Sequence, residues 1–195
     1  MPKRLEAEDF RAKCQALSHK LLSAFAIAMS LPEEYFVKAH EQTKGPGNVL
    51  RLIRYPAMEK EPDPAFPRLG EHTDWGTLTL LFTESPGLEV RPPGDQGWVM
   101  APVIEDAVIV NIADGLALWS GNTLKSTKHR LSWESLPWHL DRHSIAYFVN
   151  ANAGLWFSSL VDSQSLTDSR CLFEAVDQGW RGVQRVHHAV RSHVR

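Results

Sequence analysis

The sequence predicts a mainly β protein with flanking helices, a sandwich or jelly roll behind a helical lead-in. Three observations carry that expectation. The first part of the chain has a helical period, the part after residue 47 changes to short β-rich runs, and Pro and Gly clusters separate those runs. At 195 residues, 43 % hydrophobic and 23 % charged, the composition is that of an ordinary globular protein.

Over 7–29 the apolar residues Phe10, Cys14, Leu17, Leu21, Phe25 and Met29 recur every three or four positions, one stripe of an amphipathic packing helix. Ser30-Leu31-Pro32-Glu33 has the spacing of a capping box, which predicts a second short helix carrying Tyr35 and Phe36 inward and ending at Gly45-Pro46-Gly47. Strands are expected near Val49–Tyr55, 77–83, Leu88–Arg91, 98–100, 107–111, 127–131 and 144–150, with Pro92-Pro93-Gly94 as a turn. A last helix, interrupted at Gly179 and Gly182, is expected from 167 and fades into a polar tail. The organisation is thus a helical lead-in over 1–47, a β domain over 48–160, and a C-terminal helix and tail over 161–195.

A formal charge of −2 with no dense Lys/Arg run leaves no electrostatic footprint for nucleic acid or an anionic membrane surface. A small-molecule partner fits better. Cys14 and Cys171 lie far apart and no secretory leader is evident, so both are expected as reduced thiols in the cytoplasm. The apolar stretch 21–31 is too short to span a bilayer. The oligomeric state is not legible.

The chemistry concentrates in His72-Thr73-Asp74, joined much further along by His129. On a strand, residues 72 and 74 share a face, so one imidazole and one carboxylate can reach the same ion while Thr73 points away. A second imidazole from a distant strand completes a 2-His-1-carboxylate set, which leaves coordination positions open for oxygen chemistry. A His-x-Asp alone is common by chance. The distal histidine, an Arg142-His143-Ser144 segment beyond it, and the β-rich surroundings together point to a mononuclear iron(II) oxygenase.

Several runs then carry a family resemblance. Leu-Arg-Leu-Ile-Arg-Tyr-Pro (50–56), Gly-Glu-His-Thr-Asp-Trp-Gly-Thr-Leu-Thr-Leu-Leu (70–81), Gly-Leu-Glu-Val (87–90), Val-Asn-Ile-Ala-Asp (110–114), Ser-Thr-Lys-His-Arg (126–130) and Arg-His-Ser-Ile-Ala-Tyr-Phe (142–148) lie within 50–157. This stretch resembles the iron/2-oxoglutarate-dependent dioxygenases of the isopenicillin N synthase-like superfamily. The resemblance implies a double-stranded β-helix, with His72, Asp74 and His129 as iron(II) ligands. It also implies that Arg142 and Ser144 hold the distal carboxylate of 2-oxoglutarate, and that Tyr55 turns its hydroxyl toward the same cosubstrate. The planar donor fork of arginine suits a carboxylate, and Ser144 shares its strand face.

By the same resemblance, Asn111 and Asp114 belong to turn and supporting structure, with Ala113 where glycine is usual. Trp75, Trp119 and Phe148 are candidates for the pocket border, although buried aromatics more often fill cores. His139, His143, His187, His188 and His193 follow no ligand spacing and are expected to be non-ligands.

The implied reaction uses O2, converts 2-oxoglutarate to succinate and carbon dioxide, and oxidises a small organic substrate, usually by hydroxylation. Two other function classes stand beside it: a related iron oxidase that takes no 2-oxoglutarate, and a catalytically silent metal-binding module. Relatives usually carry a further N-terminal region of roughly a hundred residues, the size of a small domain. The chain is expected to lack it, so an unpaired sheet edge and an incomplete jelly roll are among the expectations.

Overall fold

The computed structural model describes residues 2–41, 47–63, 65–94, 97–134 and 136–152. The expected C-terminal helix, Cys171 and the histidines at 187, 188 and 193 lie outside them. Helix α1 spans Pro2–Ala28 and buries Cys14, Leu21, Leu22 and Ala26 on one face, with Met29 just beyond its end. The apolar stripe read from the sequence therefore marks the packed face.

Ser30 does not start a helix. It sits at φ 58°, in the left-handed region, and ends α1: its N–H donates to Ile27 O at 2.9 Å, and Leu31 N–H donates to Ala26 O at 2.9 Å. These two bonds are those of a Schellman motif, which satisfies carbonyls that the last turn would otherwise leave unpaired. The capping-box spacing is thus used by a helix end. A short 3₁₀ helix comes later, at Val37–His40, and Phe36 just before it is fully buried.

Among the described residues eight strands follow: β1 Val49–Tyr55, β2 Leu69–His72, β3 Leu78–Phe82, β4 Leu88–Arg91, β5 Val99–Met100, β6 Ile109–Ile112, β7 Lys128–Leu131 and β8 Arg142–Val149. They form two four-stranded antiparallel sheets, ordered β1-β8-β3-β6 and β2-β7-β4-β5. The fold is mainly β with flanking helices, as expected. Two elements carry no local signal: β2, whose Leu-Gly-Glu-His sequence lacks β-branched residues and alternation, and helix α2, Asp114–Trp119, whose six residues are too few to show a period.

Alternation along the strands divides the interior in two. Leu78 and Leu80 of β3, Val110 and Ile112 of β6, and Tyr147 and Val149 of β8 face α1 and form the larger core with Leu22, Met29, Phe36 and Trp119. The opposite face of the same strands looks toward the second sheet, where, among the described residues, Leu88, Ala101 and Leu131 form a small buried cluster, flanked by Tyr55, Leu69, Leu81 and Ile109. The α1 face holds the molecule together. The space between the sheets is left to polar residues.

Candidate metal centre

His72, the last residue of β2, and His129 on β7 are direct cross-strand partners, with ring centroids 4.2 Å apart. His72 Nδ1 lies 2.9 Å from Gly70 O and His129 Nδ1 lies 3.1 Å from Thr127 O. A carbonyl only accepts, so each Nδ1 carries a proton, and in the neutral ring each Nε2 keeps its lone pair. Those Nε2 atoms stand 3.9 and 3.8 Å from Asp74 Oδ1. One ligand atom from each of the three residues lies within 4.8 Å of the others.

Burial lowers the His129 pKa, which outweighs the opposing pull of the Thr127 carbonyl and Asp74 and keeps the ring neutral, the form that donates to a metal.

Asp74 arrives differently from the sequence expectation. The strand ends at His72, so a shared strand face does not place the carboxylate. The first turn of α2 does. Asp114 N–H donates to Asp74 O at 2.8 Å, Gly115 N–H donates to Gly76 O at 2.9 Å, and Thr73 Oγ1 donates to Asp114 Oδ2 at 2.9 Å. The N–H groups that a helix start leaves without internal partners therefore clamp the loop that carries the carboxylate. The approach is close: a Cβ on Gly115 would stand 2.7 Å from Gly76 O, and one on Gly76 would stand 2.5 Å from Val149 O.

The Asp74 side chain is oriented by two donors on its other oxygen. Thr79 Oγ1 lies 2.6 Å and Asn111 Nδ2 lies 2.9 Å from Oδ2, leaving Oδ1 turned toward the histidines. Asn111 thus has a supporting role, whereas Thr79, although it lies within the 70–81 run, has no role assigned by the sequence. A signal for it exists, because Thr79 stands between Leu78 and Leu80, which face the α1 core, so its side chain has to point to the other face.

Arg142, at the start of β8, is 2 % exposed. Its Nε donates to Pro86 O at 3.0 Å and its Nη1 to Ser144 Oγ at 3.3 Å, while Nη2 is buried without a partner. Tyr55 is its register partner on β1, with the ring centroid 5.8 Å from the guanidinium carbon. The structure thus brings Tyr55, Arg142 and Ser144 together on the inner face of the sheet that also presents Thr79 and Asn111. An uncompensated buried charge costs about 3–5 kcal/mol, so the free donor of Arg142 fits a carboxylate ligand.

Of the other candidates, Trp75 is 90 % exposed and Trp119 packs against Phe36 and Tyr35 in the α1 core, whereas Phe148 pairs with Thr79 in the register of β3 and β8, so it shares the inner face, and it lies under Arg51. His139 and His143 are exposed and outside the cluster. His40, which no sequence pattern marks, is buried beneath the site loop and bonded to Thr77 Oγ1 at 2.9 Å. Among the described residues, no helix is long and apolar enough to cross a membrane.

Comparison with known proteins gives the same answer. Residues 46–151 match the model of the 2OG-Fe(II) oxygenase superfamily. A UPF0676 protein of Schizosaccharomyces pombe is 36 % identical over 168 residues, covering 82 % of this chain and 50 % of its own length. The proline hydroxylase BuaE of Petromyces alliaceus is 40 % identical over 151 residues, covering 72 % and 46 %. The crystal structure of a full-length Neurospora crassa protein in complex with alpha-KG and 5-formyluracil superposes with a TM-score of 0.73 at 36 % identity, covering 82 % of this chain and 52 % of that protein. The chain spans about half the length of the curated relatives it matches.

The family is named for iron(II) and 2-oxoglutarate, and a His-Asp-His donor set beside a buried arginine suits both. With more than half of its length matched and the donor geometry in place, the chain belongs to the 2OG-Fe(II) oxygenase superfamily.

Proposed function

We propose that this chain is a non-haem iron(II) and 2-oxoglutarate-dependent dioxygenase that oxidises, most simply by hydroxylating, a small organic molecule. One observation carries the reading: three metal-competent donors converge within 4.8 Å, with both Nδ1 protons already committed to backbone carbonyls. Such bonds fix ring orientation before the ion arrives. In this reading His72, Asp74 and His129 hold the iron, while Arg142, Ser144 and Tyr55 hold the distal carboxylate of 2-oxoglutarate. The strand orders β1-β8-β3-β6 and β2-β7-β4-β5 support a double-stranded β-helix as the frame. The division into a lead-in over 1–47, the oxygenase domain over 48–160 and a C-terminal segment over 161–195 belongs to the same proposal. So does a cytoplasmic setting, supported by the free, buried thiol of Cys14.

Bound iron(II) supplies dioxygen activation coupled to loss of carbon dioxide from 2-oxoglutarate, leaving succinate. The protein's part is placement. Thr79 and Asn111 keep Asp74 Oδ1 facing the histidines, and the α2 turn holds the loop that carries it. Arg142 and Ser144 offer the fixed donors that would orient the cosubstrate from its far end.

The test is anaerobic addition of iron(II) and then 2-oxoglutarate, followed by the weak visible charge-transfer band of the chelate. Appearance of the band is the expected result. Stoichiometric iron binding without a band would favour an oxidase that takes no 2-oxoglutarate, and failure to bind iron would leave a silent module. His72→Ala and Asp74→Ala are expected to abolish stoichiometric iron binding; unchanged affinity in both would sink the ligand assignment.

A further inference from the structure

Arg68 lies just before β2, at the opposite end of that strand from His72, and belongs to no motif described above. Its Nη2 donates to three backbone carbonyls: Tyr55 O at 2.9 Å, Pro56 O at 2.5 Å and Leu140 O at 3.2 Å. Tyr55 and Pro56 are where β1 leaves the sheet, and Leu140 lies two residues before Arg142 opens β8. One guanidinium therefore fastens the two strand ends that present Tyr55 and Arg142 as register partners.

The same group is placed by stacking as well as by hydrogen bonds. Its carbon lies 5.0 Å from the Trp133 ring centroid and 6.0 Å from that of Tyr55, whose ring also has the Arg142 guanidinium 5.8 Å away. Trp133 is held in turn by a 2.7 Å bond from Nε1 to Phe66 O. Two arginines thus flank one tyrosine, and each keeps one buried nitrogen without a partner, Nη1 of Arg68 and Nη2 of Arg142. Arg68 opposes the charge on Arg142, and an anion placed beside both would relieve that repulsion. Burial lowers the pKa of each.

We infer that Arg68 is a positioning residue for the distal carboxylate of the cosubstrate: it fastens the strand ends carrying Tyr55 and Arg142 and adds a second positive charge beside them. This rests on the reading of the site given under Proposed function. A lysine at 68 keeps the charge and a donor head but has no planar face to stack on Trp133. Asp141 ties the outer side of the same strand ends, bonding Arg54 Nε at 2.9 Å and Ala57 N–H at 2.7 Å, so the sheet does not depend on Arg68 alone.

The test compares two 2-oxo acids on the iron(II)-loaded protein under anaerobic conditions, using the charge-transfer band as the readout. 2-Oxoglutarate has the distal carboxylate; 2-oxobutyrate lacks it. Arg68→Met is expected to weaken 2-oxoglutarate about tenfold, with iron(II) affinity and 2-oxobutyrate affinity unchanged. Arg68→Lys is expected to fall between Arg68→Met and the unaltered protein, and it serves if the methionine variant does not fold. Equal weakening of both acids would mean a merely structural role, and no weakening of either would mean none; both results overturn the inference. Absence of a band in the unaltered protein would instead overturn the 2-oxoglutarate reading on which it stands.

Discussion

Thr79 and Asn111 stand opposite each other in the register of β3 and β6, and both donate to Asp74 Oδ2, at 2.6 and 2.9 Å. A cross-strand pair thereby fixes a carboxylate that comes from outside both strands. Donors behind a ligand orient it and tune its basicity, and losing them typically weakens metal binding by about 10–100-fold. Thr79→Val and Asn111→Ala are each expected to weaken iron(II) binding within that range while the cooperative unfolding transition is kept. Anaerobic iron titration of the apoprotein measures it, and unchanged affinity in both variants would show that the pair does not orient Asp74.

Arg142 gives a prediction with two signs. Its buried Nη2 has no partner, so the apoprotein carries an uncompensated charge that a carboxylate ligand would neutralise. Arg142→Met removes the charge but keeps much of the stem. The variant is expected to lose 2-oxoglutarate affinity about a hundredfold or more, while the apoprotein's urea midpoint stays level or rises. Titration of the chelate band and urea unfolding check the two halves. An unaltered cosubstrate response would give the arginine another role.

Most of the β scaffold is legible in the sequence because hydrophobic alternation and Pro/Gly punctuation are local signals. Val49–Tyr55 and Leu88–Arg91 coincide with the expected segments, and a run of β formers locates the strand of Arg142 and Ser144. The ligand residues are legible as a spaced set. Their support is not. Asp74 is placed by α2, a six-residue helix that begins forty residues later, and no local period links the two. Arg68 carries no signal in the sequence, because its three carbonyl partners come together only when β1, β2 and β8 assemble. Ser30 shows the remaining failure: its spacing to Glu33 fits a helix start, yet a left-handed residue at a helix end meets the same composition.

That position supplies a prediction about stability. Ser30 occupies φ 58° at the end of α1, a conformation that glycine adopts without the Cβ penalty. Ser30→Gly keeps both Schellman bonds, since they use only backbone groups. It is expected to stabilise the fold by about 0.5–1 kcal/mol, net of the freedom glycine adds to the unfolded chain. A raised urea midpoint with an unchanged slope is the sign to look for; a lowered one would mean that the serine side chain contributes more than the backbone strain removes.

Gly76 and Gly115 give a steric prediction. A Cβ on Gly76 would stand 2.5 Å from Val149 O and 2.7 Å from Asn150 Oδ1, and a Cβ on Gly115 would stand 2.7 Å from Gly76 O. Backbone atoms cannot give way as a flexible side chain can. Gly76→Ala is expected to destabilise by about 1–3 kcal/mol and to weaken iron(II) binding as well, because the displaced loop carries Asp74. Lowered stability with intact iron affinity would show that the loop absorbs the shift without moving its carboxylate.

His40 links the lead-in to the site loop and sets a pH dependence. It is buried, its Nδ1 donates to Phe36 O at 2.7 Å, and in the neutral ring its Nε2 accepts from Thr77 Oγ1 at 2.9 Å. Burial pushes its pKa down from 6.5 to about 4, with a smaller contribution in the same direction from His19. Between these two values the unfolded chain binds one proton more than the folded one. Stability is therefore fully present above about pH 6.5 and falls as the pH drops toward 4, by up to about 1.4 kcal/mol per unit from this residue. His40→Gln can still donate to Phe36 or accept from Thr77 but cannot titrate, so the variant should lose this part of the slope whatever its absolute stability. Urea midpoints measured for both proteins from pH 7.5 down to 4.5 read the difference. Parallel curves would mean that His40 titrates alike in the folded and unfolded chains, and that the bond to Thr77 does not depend on a neutral ring.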